Sequence, residues 1–392
     1  MIPRIVFFIS VSLLIIFNLL SSRAILANNG GTDCDNSYVT LINPVRGRNL
    51  WIDKTIDPLK SQYSLAKQYN VPVTWLLQYD ALEDEEIFKE TKKFDPSHEM
   101  GVFLEVSPDY AQRARVIYPH AVPWFSPRAV FLSGYSQSQR RNLIDKLFSE
   151  FKLKYGFYPK SVGAWWIDSY SLNYMKDKYD IKAAMIVADQ KSTDNYGVWG
   201  QWWGVPYYPS KANILTPASS LKNKQDIVVI QWAQRDLDLA YGKGPLYSNY
   251  SLQANDYTRQ GKNTNYFKDL VNVYLDCRNP IGQITVGLET GIESVGYIKE
   301  YDNQLRYLSE IKGLKVVTMS EFSDVFSSIF PQYPKRSELS DKDSSWILKT
   351  DSRNNSMLGD YIKYQHGIAF KDFFIPDNQD FLDRNLRELI KD

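Results

Sequence analysis

Apolar and polar positions follow two alternating periods along residues 38–330 of this chain. Short runs rich in β-branched and aromatic residues, such as YVTLI (38–42) and DIVVIQW (226–232), are typical of buried strands. Longer stretches with apolar residues three or four apart, such as 137–155, indicate helices. Strand and helix alternate about seven or eight times over roughly 290 residues, which predicts a parallel sheet with helices on its faces.

This number of strand–helix units fits a (β/α) barrel better than an open sheet, although spacing alone leaves the open sheet possible. Two insertions, 107–135 and 189–225, follow strands, so they belong at the carboxyl ends where barrel active sites lie. We therefore predict a barrel over 38–330 and a small β-rich region over 335–392. Strands are expected at 38–42, 71–77, 101–106, 163–167, 183–188, 226–232, 283–288 and 314–318.

The first 27 residues have the layout of a secretory signal. Arg4 precedes an apolar run of about 16 residues, and small and polar residues follow, with Ala27 as the expected last residue of the signal. The run is close to the ~18 residues that a spanning helix needs, so an uncleaved membrane anchor is the alternative. In both cases the body of the protein is expected outside the cytoplasm, secreted or at the cell surface. Cys34 and Cys277 can pair there, or they are two separate thiols.

Composition narrows the classes of partner. The net charge is +1, which gives no electrostatic case for binding nucleic acid or an anionic membrane surface. Aromatic residues make up 14% of the chain, with 27 Tyr and 10 Trp. Most aromatic rings belong to cores, but an excess of Trp and Tyr also suits clefts in which sugar rings stack. A carbohydrate, such as a polysaccharide or a cell-envelope glycan, is the expected partner.

Four short stretches resemble known carbohydrate-active families. HEMG (98–101) and YNVPVTWLL (69–77) resemble the HEIG stretch and a strand of polysaccharide deacetylases. GAWWID (163–168) resembles the W-x-x-E region of family 57 glycoside hydrolases, and ITVGLETGIES (284–294) resembles the end of their barrel. The chain thus resembles the glycoside hydrolase/deacetylase superfamily. This resemblance implies an irregular seven-stranded (β/α) barrel acting on carbohydrate, to which the small β-rich C-terminal region is appended.

The sequence departs from the deacetylases at their metal ligands. Those enzymes hold a metal with an aspartate after the first strand and two histidines after HEIG. Here the first strand leads into INPVRGRNLW (42–51) without paired aspartates, and no histidine follows HEMG closely. The chain has 3 His, far apart, whereas zinc hydrolysis needs about three ligands with an open position. We expect no metal and no cofactor, which makes a metal-dependent polysaccharide deacetylase the less favoured class. His98 is expected to pack beneath the barrel.

Carboxylates are the remaining candidates for chemistry, since glycosidic cleavage needs one ionised and one protonated carboxyl group. The resemblance gives Asp168 the nucleophile position, where the family has glutamate. Asp236 is the first candidate for the acid/base, and Glu289 is the second candidate for the same role. The alternative role of Asp168 is to cap the helix that follows it. Five predicted strands end near an acid: Asp80, Glu105, Asp168, Asp236 and Glu289.

The expected sugar-binding residues lie at the same ends of the predicted strands. Trp165 and Trp166 flank the acid of GAWWID, and WGQWWGVPYYP (199–209) crowds aromatic rings into a loop that either covers the barrel mouth or fills a cluster of its own. Arg46 and Arg48 are either forked donors to the cleft or surface charges. The full set is Arg46, Arg48, Trp75, Asp80, Glu105, Trp165, Trp166, Trp202 and Trp203.

The sequence therefore predicts a metal-independent glycoside hydrolase or transglycosylase that uses paired carboxylates outside the cytoplasm. The alternative is a barrel without catalysis that binds glycan or serves as a structural domain at the cell surface. The absent metal ligands and the shortened acid at Asp168 are compatible with both hypotheses.

Overall fold

The computed structural model describes residues 36–187, 204–239, 250–342, 344–355 and 360–364. Its main body is a parallel sheet with helices packed around it, as the alternating pattern predicts. The strands of this sheet are β1 (Ser37–Val45), β2 (Thr74–Leu77), β3 (Glu99–Phe103), β4 (Ser161–Gly163), β5 (Ala183–Val187), β6 (Val228–Trp232), β7 (Gly282–Val286) and β8 (Lys315–Val317).

The helices are mostly amphipathic and cover the outer face of the sheet. Within the described ranges they are α1 (Asp57–Gln68), α2 (Tyr79–Glu83), α3 (Glu85–Thr91), α4 (Pro108–Arg113), α5 (Pro127–Val130), α6 (Gln137–Tyr155), α7 (Ser169–Tyr179), α8 (Ala254–Arg259), α9 (Thr264–Tyr274), α10 (Ser294–Glu310) and α11 (Met319–Ile329). The longest, α6, begins with a capping box of Ser136 and Gln139 and ends at Gly156, whose φ of 90° suits only a residue without a β-carbon.

β1 pairs with three strands, β2, β7 and β8, in a sheet that has the strand order β6-β5-β4-β3-β2-β1-β7. All nine residues of β1 are buried. Tyr38–Thr40 pair with both β7 and β8, while Ile42–Val45 pair with β2. β8 and β2 therefore share one edge of β1, and the sheet curls into a nearly closed, irregular barrel. The predicted fold class is confirmed.

Side chains bridge the gap between β6 and β7 where the barrel closes. The side-chain amide of Gln234, which follows β6, donates to Gln283 Oε1 at 3.0 Å and accepts from the Thr285 backbone N–H at 2.8 Å. Gln283 in turn donates to Thr40 Oγ1 at 2.8 Å. These groups are buried, so each amide satisfies donors and acceptors that water cannot reach.

The amino-terminal side of the barrel is closed by packing. His98 precedes β3, its Nδ1 accepts the Val73 backbone N–H at 3.1 Å, and its ring packs against Tyr63 and Phe94. Burial lowers the pKa of His98 and favours the neutral ring. His98 has a structural position away from the carboxyl ends of the strands.

A small antiparallel sheet follows the barrel, made of β9 (Arg336–Ser340), β10 (Ser345–Lys349), β11 (Ser352–Asn355) and β12 (Asp360–Lys363). It is attached through Trp346, whose Nε1 donates to the Leu237 carbonyl at 3.0 Å, and through Asn279, which bonds the backbone of Glu338 in both directions. The β-rich C-terminal region is therefore present. Residues 365–392 of the region predicted to be β-rich lie outside the described residues.

The membrane and disulfide predictions fall only partly on residues that the structure describes. Residues 1–27 lie outside it, and within the described ranges no helix is both long and apolar enough to cross a membrane. Cys277 is disulfide-bonded. Cys34, the other cysteine of the sequence, lies outside the described residues.

Candidate functional site

Three charged side chains meet at the carboxyl ends of β1, β3 and β7, and we call them the Arg46 cluster: Arg46, Glu105 and Glu289. Arg46 donates from Nε to Glu105 Oε2 at 2.6 Å and from Nη2 to Glu105 Oε1 at 2.7 Å. Its Nη1 donates to Glu289 Oε2. The three residues are 5%, 0% and 4% exposed. A buried pair of this kind needs matched geometry to offset desolvation, and the two-pronged bond to Glu105 provides it.

Aromatic rings surround the guanidinium of Arg46. The rings of Trp165, Phe103 and Trp124 lie 5.7, 5.8 and 5.9 Å from its central carbon. Cation–π attraction at such distances further stabilises the charged guanidinium group in this position. Trp165 and Phe103 are enclosed, whereas Trp124 is 44% exposed. Trp124 therefore presents an accessible indole near the Arg46 cluster.

The loops that carry Arg46 and Glu289 are locked together. Trp51 donates from Nε1 to the Arg46 carbonyl at 2.8 Å, and the Ile52 N–H donates to the Gly291 carbonyl at 2.8 Å. A β-carbon on Gly291 would lie 2.1 Å from the Trp51 ring, and the φ of Gly291 is 81°. Only glycine permits this close approach. The contact between Gly291 and Trp51 therefore holds the loop after β7 against the loop after β1.

Glu289 is also positioned from its own side of the barrel. Its backbone N–H donates to Glu293 Oε2 at 3.0 Å, and Glu293 further accepts from Gln253 and Asn255, each at 2.6 Å. Trp232 at the end of β6 donates to Gln253 Oε1 at 2.8 Å. A chain of buried polar contacts thus runs from β6 to the loop that holds Glu289.

An open cleft of about 830 Å³ lies over the loops after β1, β2 and β3. Its lining is charged and includes Arg48, Asp80, Asp84, Asp109, Arg113 and Arg115. Gly47 allows two of these loops to touch, since a β-carbon there would lie 2.7 Å from the Asp80 β-carbon. We call this space the β1–β3 cleft.

Asp80 is the half-buried acid of the β1–β3 cleft. Its Oδ1 accepts from the Ser107 hydroxyl at 2.6 Å. Burial raises the pKa of Asp80; the Ser107 bond opposes the rise, and the nearby charges of Asp109 and Glu105 add to it. The cleft therefore contains a carboxyl group that keeps its proton to higher pH than an ordinary aspartate.

Asp84 stands beside Asp80 in a different environment. It caps α3 by accepting from the N–H groups of Glu86 and Ile87, and Arg48 donates from Nε to its Oδ2 at 2.6 Å. Burial acts to raise the pKa of Asp84, but the Arg48 bond and the cap outweigh it and lower the pKa. Arg48 also bonds Glu86, so it is an anchored ion-pair partner at the edge of the cleft.

Asp168 is fully buried and bonded on both oxygens. Its Oδ1 accepts from Arg140 Nη1 at 2.9 Å and from the Ser171 N–H at 2.9 Å, and its Oδ2 accepts from the Ser171 hydroxyl at 2.7 Å. Burial raises the pKa of Asp168, while Arg140 and Ser171 oppose the rise. The structure thus places Asp168 as the cap of α7 and partner of Arg140, the alternative role that the sequence left open.

Asp236 is also engaged in local structure. Its Oδ1 accepts from the N–H groups of Asp238 and Leu239 at 3.0 and 2.9 Å, and its Oδ2 accepts from the Tyr266 hydroxyl at 2.9 Å. In the described part of the chain, no hydrogen bond or ion pair joins Asp168 or Asp236 to the Arg46 cluster. Of the expected catalytic residues, only Glu289 belongs to that cluster.

The predicted tryptophans have different positions. Trp75 is fully buried beside Phe94 and His98, where no ring face is open to a sugar. Trp166 is 1% exposed, and Trp165 packs between Phe103 and Trp232 beside the Arg46 cluster. A tryptophan in a barrel strand or just after it is as easily core as cleft, and sequence does not separate the two. Trp202 and Trp203 lie outside the described residues.

Two residues of the predicted insertion were not among the expected site residues. Trp124 lies against Arg46, and Tyr118 is 8% exposed with a hydroxyl that has no hydrogen-bond partner among the described residues. Burial raises the pKa of Tyr118, and the charges of Asp80 and Glu105 raise it further. The sequence indicated these two residues only indirectly. The position of 107–135 after a strand predicts a loop at the barrel mouth, but it does not single out any residue of that loop.

Potential metal ligands are sparse at the site. Within the described ranges, no group of three or more His, Cys, Asp or Glu side chains is arranged to hold a metal ion. His120 is exposed, and His366 lies outside the described residues. The donor set around Arg46 is two carboxylates whose bonds go to a guanidinium, which is not a metal-binding arrangement.

The irregular parallel barrel with charged residues at its carboxyl ends defines a fold class, which also contains a solved structure described as a candidate glycoside hydrolase/deacetylase. A candidate glycoside hydrolase/deacetylase from Parabacteroides distasonis has a similar structure, with a TM-score of 0.57, 16% identity, and coverage of 82% of this chain and 81% of that chain. Two structures described as candidate polysaccharide deacetylases, from Mycobacterium smegmatis and Pseudomonas aeruginosa PAO1, are similar at TM-scores of 0.43 and 0.44, each at 11% identity. They cover 76% and 75% of this chain and are covered over 92% of their own length.

Within this class, the chain belongs to the DUF3863 family, described as a domain of unknown function with solved structure, whose model matches residues 54–339. A comparison with curated protein sequences finds no match. The chain therefore has the barrel fold that the resemblance implied, and at these identities the similar structures establish the fold alone.

Proposed function

We propose that this protein is a metal-independent carbohydrate hydrolase whose active site joins the β1–β3 cleft to the Arg46 cluster. The observation that carries the proposal is the contrast between two kinds of carboxyl group at one barrel mouth. Asp80 lies in the cleft with a raised pKa, and Glu105 and Glu289 are bound to a guanidinium. Environments that separate carboxyl groups in this way supply the acid and the ionised partner that glycosidic cleavage needs.

Asp80 would be the general acid. It is half-buried and lines the open cleft, and within the described part of the chain the small side chain of Ser107 gives its carboxyl group one hydrogen bond. Protonation of a leaving oxygen requires an acid that still holds its proton near neutral pH, and burial moves Asp80 in that direction.

Glu289 and Glu105 would be the ionised carboxylates. Each of them accepts a charge-assisted hydrogen bond from the guanidinium of Arg46, which is charged at every relevant pH. Arg46 binds both oxygens of Glu105, which makes Glu105 the orienting member. Arg46 binds Glu289 through Nη1, and we assign Glu289 the role of nucleophile toward the sugar or of base toward water.

A glycan substrate is supported by the exposed ring of Trp124 near the cluster and by the structural likeness to carbohydrate-active barrels. The apolar run in residues 1–27 supports action outside the cytoplasm, after export or from a membrane anchor.

The test is a hydrolysis screen on a polysaccharide panel with wild type and Asp80→Asn. We expect the variant to lose about 10²- to 10⁴-fold in turnover, because the acid is removed with little change in volume. Asp269→Asn, an exposed aspartate on α9, is the matched control and should retain wild-type turnover. Equal turnover in Asp80→Asn and Asp269→Asn would end the assignment of Asp80.

Chelation is a second arm of the same screen. EDTA should leave turnover unchanged, because no step of the proposed reaction uses a metal. Loss of turnover that zinc restores would overturn the carboxylate mechanism and return the case to a deacetylase-like reaction.

A glycan-binding barrel without catalysis is the second candidate, and one observation favours it. Glu105 has no exposed surface and both its oxygens are bonded to Arg46, so the cluster also reads as a closed structural ion pair. In that case the panel would show binding without turnover, and Asp80→Asn would bind as wild type does.

A further inference from the structure

The β1–β3 cleft carries arginines that the proposed reaction does not use. Arg113 and Arg115 line it from the carboxyl-terminal end of α4, and both are exposed. Neither has a hydrogen bond or ion pair from its side chain among the described residues. The third arginine of the cleft, Arg48, is held by Asp84 and Glu86. Two guanidinium groups therefore face the cleft without a partner among the residues that the structure describes.

The end of α4 sets the direction of these two side chains. Arg113 is its last residue, and Arg115 has a φ of 57°, in the left-handed region where helices usually end with glycine. The Arg115 N–H donates to the Gln112 carbonyl and the Val116 N–H to the Ala111 carbonyl, which fixes this turn. A residue with a β-carbon is disfavoured in this conformation relative to glycine. A long cation thus occupies a position that local stability would give to glycine.

The acids of the cleft do not compensate these charges directly. Asp84 is bound by Arg48, and Asp80 is bonded to Ser107. Burial raises the pKa of both Asp80 and Glu83, and repulsion from Glu150 adds to the rise at Glu83. Asp109, four residues before Arg113 on α4, makes no ion pair with it in the described structure. An anionic group from outside can therefore reach both arginines.

We propose that the β1–β3 cleft binds an acidic glycan, one whose sugar rings carry carboxylate groups, and that Arg113 and Arg115 hold that carboxylate. The guanidinium fork matches the two oxygens of a carboxylate, and an adjacent pair gives directional as well as electrostatic recognition. The inference deepens the proposed function, because it rests on the cleft being a glycan site. Asp80 then faces the glycosidic oxygen of the sugar that the arginines hold.

The experiment is calorimetric titration with polygalacturonate and with its fully methyl-esterified form, which has the same backbone without charge. Wild type should bind the acid at least 10-fold more tightly than the ester. The double variant Arg113→Gln/Arg115→Gln should lose that preference, and Arg113→Lys/Arg115→Lys, which keeps the charge without the fork, should retain only part of it. Arg306→Gln, an exposed arginine on α10, is the control and should bind as wild type does.

Dextran sulfate separates recognition of a carboxylate sugar from attraction to any polyanion. Binding of dextran sulfate as tight as that of polygalacturonate would overturn the proposal, as would an unchanged affinity in the double glutamine variant. The melting temperature of the double glutamine variant should match that of wild type, because the side chains of Arg113 and Arg115 are both exposed. A loss of binding in this variant would therefore not result from unfolding.

The two proposals fail in different ways. Arginine-dependent binding of polygalacturonate without turnover on any glycan would end the hydrolase assignment and leave the acidic-glycan site standing. Turnover that depends on Asp80 but is equal on acidic and neutral glycans, and unchanged in the double variant, would end the acidic-glycan site alone. No binding of any glycan by wild type would overturn both.

Discussion

At the scale of single residues, Asp80 shows how a site can cost stability. Because its folded pKa is raised, the stability that its protonated form contributes is present below the unfolded pKa and is lost as pH rises through the folded pKa. Asn cannot ionise and still accepts from Ser107. We expect Asp80→Asn to melt above wild type at pH 7, with the gain shrinking toward about pH 3. Thermal scans at both pH values test this, and a lower melting temperature at pH 7 would contradict it.

Tyr118 and Tyr135 form a second comparison at the residue scale. The Tyr135 hydroxyl donates to the Ala129 carbonyl at 2.6 Å, whereas the buried Tyr118 hydroxyl has no partner among the described residues. Tyr135→Phe should lower the free energy of unfolding by about 1 kcal/mol, while Tyr118→Phe should leave it unchanged or raise it. Urea unfolding measures both. An equal loss in the two variants would mean that the Tyr118 hydroxyl has a structural bond.

Asp168 and Arg140 carry opposite charges that are each 1% exposed or less. Replacing Asp168 with Asn leaves the guanidinium of Arg140 buried without its counter-charge. We expect Asp168→Asn to lower the free energy of unfolding by roughly 3–5 kcal/mol. Chemical denaturation checks the loss, and a fully stable variant with depressed turnover would instead restore the nucleophile role that the resemblance implied.

At the scale of elements, the alternation of strands and helices was predictable because it depends on local periodicity. The acids and arginines after strands were predictable for the same reason, since parallel strands bring their carboxyl ends to one side. Arg46, Glu105 and Glu289 meet there, and Arg48 and Asp80 line the adjacent cleft. Long-range partners decide whether an acid caps a helix or faces a cleft. Asp168 binds Arg140, 28 residues away in sequence, and no rule of sequence spacing predicts that pair.

The junction between β6 and β7 is an element-scale feature that the pattern could not reveal. Gln234 holds the two sides together from a fully buried position. Gln234→Leu keeps a similar volume but leaves the Thr285 N–H and the Gln283 side chain without these bonds. We expect a loss of about 2–4 kcal/mol and faster amide hydrogen exchange in β6 and β7 than in β2 and β3. Uniform exchange across all four strands would contradict a local role for Gln234.

At the scale of the whole molecule, a parallel barrel, an antiparallel appendage and a polar cleft are combined with a near-neutral net charge of +1. The overall charge therefore hides the local separation of acids on α2 and arginines at the end of α4. Total composition predicted that nucleic acid is not a partner, but it could not reveal a cleft that attracts one kind of anion. Recognition by this protein should depend on a few placed charges, and binding should weaken with salt as those charges are screened.

The position of β1 has a consequence for how the chain reaches its native state. β1 pairs with β7, which is made much later, and Thr40 bonds Thr285 across 245 residues. A contact of such high sequence separation forms only after the entropy cost of closing a long loop has been met. The folding rate should therefore be low. Until the last third of the barrel is made, β1 presents an apolar edge without its neighbour, which invites wrong pairing. For the export that we propose, the same delay would leave the chain unfolded while it crosses a membrane.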